Sequence, residues 1–126
     1  MSRDARIDLD WADGTYAFRL AWAQLAELQE KTNAGPYVVL QRVASGAWRV
    51  EDLSNIIRLG LIGGGMAPAD ALKKVRTYVE ERPPLENVLT AQSVLMAALM
   101  GAPEEALGNV EAADPEIAST TSPTES

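Results

Sequence analysis

Residues 6–20, RIDLDWADGTYAFRL, alternate apolar and polar side chains on either side of Asp13-Gly14. An Asp-Gly pair between alternating runs predicts a two-residue hairpin turn, because both central positions favour positive φ. With the turn at Asp13-Gly14, Ile7 faces Leu20, Leu9 faces Phe18 and Trp11 faces Tyr16, all on one side. Asp8 faces Arg19 on the other side as an opposite-charge pair. An isolated hairpin is marginal in water, so its apolar face needs a cover.

The pattern then changes to a helical period. Residues 21–32 set Leu25 and Leu28 on one face with Trp22 beside it, and Glu27 precedes Lys31 by four. Asn33-Ala34-Gly35-Pro36 ends that helix, and Pro36 opens a second over 36–45 that stops at Gly46. A third helix over 50–62 carries the stripe Leu53, Ile56, Ile57 and Leu61, and Gly63-Gly64-Gly65 ends it. Pro68 opens a fourth over 68–81 with Leu72, Val75 and Val79 at helical spacing. Arg82-Pro83-Pro84 breaks it. A fifth, over 84–100, sets Leu85, Val88, Leu89, Leu95, Met96 and Leu99 on one face. After Gly101 the periodicity stops, and residues 102–126 read as a disordered acidic tail. The expected fold is α+β: one domain over 1–101, with a hairpin at 6–20 and a bundle of about five short helices.

Charge sharpens this division. The net charge of the 126 residues is −7, with eleven Lys/Arg against eighteen Asp/Glu. Residues 1–101 hold twelve acidic and eleven basic side chains, whereas 102–126 hold six acidic and none basic. The close basic group Lys73, Lys74, Arg76 reads as a solvated helix face, so nucleic acid is not an expected partner. No apolar run reaches the roughly 20 residues of a membrane span. Charges at Arg3, Asp4, Arg6, Asp8 and Asp10 break any signal-peptide core, and a cytoplasmic location is expected.

The chain has no Cys and no His. Disulfides, imidazole or thiolate metal sites, His-based triads and Cys nucleophiles are therefore excluded. Gly63-Gly64-Gly65 lacks the Gly-Lys-Ser/Thr ending of a phosphate loop, and reads as a helix cap and turn. Asp8 and Asp10 share a strand face beside Arg19, an environment unsuited to acid–base work. No enzyme activity, cofactor or metal is expected. The residues left as candidates for contact with a partner are apolar or amide: Trp22, Trp48, Leu61, Met66, Gln92, Met96 and Met100.

Ile7–Leu20, followed by WRVEDL at 48–53, IRLGLIGGG at 57–65 and MAPADA at 66–71, resembles a known family. These segments are similar to small proteins encoded beside the tail genes of gene transfer agents and siphophage-like prophages, classed as phage tail assembly chaperones. The resemblance spans about residues 5–101, and LGLIGGG is its most specific part. It implies a non-enzymatic protein that binds the tape measure protein before the tail tube forms. It also implies one of two roles for a C-terminal extension such as 102–126: recruiting the tail tube protein, or maintaining solubility. The alternative is a structural tail subunit retained in the particle. Self-association stays open.

Overall fold

A computed structural model describes residues 4–102 of the chain. The order is β1 (Ile7–Trp11), β2 (Gly14–Phe18), α1 (Trp22–Thr32), α2 (Pro36–Ser45), α3 (Val50–Gly63), α4 (Pro68–Val75) and α5 (Val88–Met100). A π-helical turn, Arg76–Glu80, extends α4, and a 3-10 turn, Pro84–Asn87, leads into α5. This is the expected α+β architecture of a hairpin on five helices. Of the segment expected as an acidic tail, 103–126 lies outside the described residues, and Ala102 is buried.

The hairpin forms in a register different from the expected one. Ile7 pairs with Phe18, Leu9 with Tyr16 and Trp11 with Gly14, so the turn is Ala12-Asp13. Ala12 takes the left-handed conformation at φ 57°, and Gly14 is an ordinary strand residue. Asp13 is instead held through its carboxylate, which accepts hydrogen bonds from the Tyr16 hydroxyl and from Lys74. The slip is two residues, so each side chain keeps its face. Asp8 now lies opposite Ala17 and pairs with Arg6, while the Arg19 guanidinium donates to the Asp4 carbonyl.

α3 is the axis of the molecule: it packs on β2 and on each of the other four helices. Leu53, Ile56, Ile57, Leu59 and Leu61 are all fully buried. The glycines near its end are where the hairpin lands. The Arg19 N–H donates to the Gly60 carbonyl at 2.9 Å. A Cβ on Gly63 would stand 1.8 Å from the Arg19 carbonyl oxygen, and one on Gly64 would stand 2.0 Å from that of Ala17. These residues therefore admit another strand's backbone as well as ending a helix.

Two buried polar ties complete the frame. Asp52, fully buried, accepts from the Arg49 N–H at 2.9 Å and from Arg42 at 2.7 and 3.1 Å. It therefore caps α3 and also anchors α2, beyond complementing the helix dipole. The Trp11 indole N–H donates to Asn87 at 2.7 Å, and Asn87 donates to the Tyr78 carbonyl. That joins the hairpin to the π turn and to the start of α5.

The expected face of α5 holds in part: Leu95 is buried and Val88 and Leu99 pack against the core. Ala91, Val94, Leu95 and Ala97 point inward, while Leu85 and Leu89 are each 76% exposed and Met96 also reaches the surface. No charged residue occurs within α5, so the pattern lacks a polar face to mark the outside. Leu72 on α4 is likewise outward, and Glu27 pairs with Arg58 of α3 in place of Lys31.

The geometry reverses the usual expectation for the two kinds of glycine. Gly64→Ala should cost about 3 kcal/mol or more in urea unfolding, because backbone must move to admit the methyl group. Gly14→Ala should stay within about 0.5 kcal/mol, since the nearest atom is a Tyr16 ring carbon at 3.7 Å.

Candidate functional site

The outer surface carries a groove of about 450 Å³ between α1, the start of α2 and the end of α5. Trp22, Leu25, Ala26, Gln29, Pro36, Tyr37 and Leu99 line it. None of them is charged. Trp22 is 87% exposed and Tyr37 65% exposed, and Met100 stands next to Leu99 at the helix end. An apolar trough of this kind suits an apolar helix face laid into it.

The expected contact residues do not form one site. Trp22 lines this groove. Met96 and Met100 lie on the outer side of α5, and Gln92 is half-buried between Leu89 and Met96. Trp48 and Met66 are partly buried against the core, and Leu61 is 1% exposed and belongs to it. Tyr37 and Val38 are exposed apolar residues that the pattern did not single out, and Leu85 and Leu89, expected on the packed face of the fifth helix, are exposed as well. Tyr37 and Val38 sit in the first turn of α2 behind Pro36, where short helices give little periodicity to read.

A second groove of about 310 Å³ lies between the start of α3 and the segment 79–84. Val50, Leu53, Val79 and Pro84 supply its apolar wall, and Glu51, Glu80 and Arg82 add charge. Arg82 is engaged by Glu86 at 3.2 Å. Among the described residues no group of three or more carboxylates could hold a metal ion. No described helix is long and apolar enough to cross a membrane.

The Lys74 ammonium reaches across to the hairpin turn. It lies 2.8 and 3.0 Å from the two Asp13 oxygens and 5.1 Å from the Tyr16 ring centre. The Lys74 hydrogen bond, with that of Tyr16, lowers the Asp13 carboxyl from 3.8 to about 2. Asp13 in turn raises Lys74. A carboxylate whose pKa falls on folding contributes stability above its unfolded value and loses it as pH drops toward the folded one. The Asp13 contribution is therefore complete above about pH 4 and fades toward pH 2. Carbon-detected NMR titration should place the Asp13 midpoint near 2, and Lys74→Met should return it toward 3.8. A midpoint near 3.8 in the unaltered protein would show that the contact does not form.

Comparison with known proteins is consistent with a tail-related family and differs on role. A family model described as phage tail tube protein, GTA-gp10, matches residues 4–101, and that description names a tube protein, not a chaperone. No curated protein and no solved structure matches the chain. The match takes in nearly every described residue, and the chain belongs to the phage tail tube protein, GTA-gp10, family.

Proposed function

We propose that this chain is a structural subunit of a phage-like tail, retained in the particle and acting through contact alone. The match of residues 4–101 to a family described as tail tube protein carries this reading. The surface supports it. Trp22, Tyr37, Leu99 and Met100 gather around the end of α5, whereas Leu85 and Leu89 stand at its start. A 13-residue helix is about 20 Å long, so these apolar patches are separate. Two different patches on one chain are what head-to-tail repetition uses.

One observation favours a second reading, that of an assembly chaperone for the tape measure protein. The Trp22–Tyr37–Leu99 groove carries no charge and fits a greasy helical stripe on a long partner. In this reading the acidic segment beyond Ala102 would recruit the tail tube protein.

Quantitative mass spectrometry of purified particles separates the two. The proposal predicts many copies per particle. Absence from particles, with a long helical protein co-purifying from the lysate, would transfer the role to the chaperone reading. Absence from both would overturn the tail assignment.

A further inference from the structure

The basic group on α4 does not end as a uniform solvated face. Lys74 is drawn to Asp13 and Tyr16, which leaves Leu72, Lys73, Arg76, Thr77 and Glu80 along the outer side of α4 and its π turn. Ala71, Val75 and Val79 hold the opposite side in the core. Among the described residues Lys73, Arg76 and Glu80 take part in no ion pair. Arg76 and Glu80 are four apart, yet they do not join. The turn 76–80 is π-helical, wider than the one that brings such residues together.

We propose that this outer face is a self-complementary interface that pairs two copies of the chain about a two-fold axis. Along the face the cations of Lys73 and Arg76 come first and the carboxylates of Glu80 and Glu81 follow. Laid antiparallel on a second copy, the cationic half of one meets the anionic half of the other, twice over. With Arg76 opposite Glu80 of the second copy, Leu72 lies past Glu80, toward the groove that Glu80 helps to line. There the exposed Val50 and Pro84 edge a groove with Glu51 at its rim, an apolar seat beside a carboxylate. Leu72 is 38% exposed in the single chain. The charge order selects this occupant, since each half supplies what the other lacks. The inference stands on these residues and not on the tail reading. A chain found outside the particle would leave it intact.

Sedimentation equilibrium of the full chain tests it. The unaltered protein should form a concentration-dependent dimer that weakens as salt is raised. Arg76→Glu and Glu80→Arg should each weaken association by about tenfold or more, because each places like charges together twice. An equimolar mixture of the two variants should restore a heterodimer, since every contact then joins opposite charges. That recovery also shows that both variants are folded. A chain that stays monomeric at every concentration, variants that dimerise as the unaltered protein does, or a mixture that recovers nothing would overturn the proposal.

Discussion

The fold depends on how closely the backbone of β2 and its continuation approach the end of α3. Backbone carbonyls of Ala17 and Arg19 occupy the space that side chains at Gly64 and Gly63 would fill. Gly60 is nearly as constrained, with Val94 and Phe18 at 3.0 and 3.1 Å from where its Cβ would be. The Arg19–Gly60 hydrogen bond then joins the strand side to a helix carbonyl. A two-stranded sheet has too little apolar surface to persist alone. Here it becomes one wall of a core whose axis is α3, with Phe18 and Leu20 fully buried.

Polar ties of unequal worth hold the remaining elements against that axis. Asp52 lies inside while Arg42 reaches it from a partly exposed position, and removing Arg42 should cost about 3 kcal/mol because it leaves a carboxylate unpaired in the interior. Asn87 links three elements through an amide that is almost wholly buried. The Lys74–Asp13 contact is exposed and screened, and orients the hairpin tip more than it stabilises the fold. A body fixed in this way presents its outer apolar residues in set positions.

Much of this was legible where local chemistry dominates. Pro36, Pro68 and Pro84, together with Gly46 and Gly101, mark element ends, and the structure places them there. Alternation in 6–20 revealed the hairpin and which side chains share a face. It could not locate the turn, because the contact that anchors Asp13 comes from Lys74, 61 residues away. LGLIGGG stood out, but its reason lies in another segment's backbone. The face of α5 was legible only in part: Val88, Leu95 and Leu99 pack on the core while Leu85, Leu89 and Met96 turn outward, because a helix without charges has no polar edge. Tyr37 escaped notice, and Leu99 was read only as core, for a related reason: a groove is a property of neighbouring helices, and no single helix period encodes it.

Membership in the tail tube family gives these surfaces their context, and the seated hairpin gives them their rigidity. Native-state hydrogen exchange of the Arg19 amide reads that seating directly. If the strand and α3 form one cooperative unit, this amide opens only with global unfolding and is protected as strongly as the core amides of α3. Exchange as fast as that of the hairpin tip, with α3 still protected, would show that the hairpin lies loosely on the helices and contradict the account.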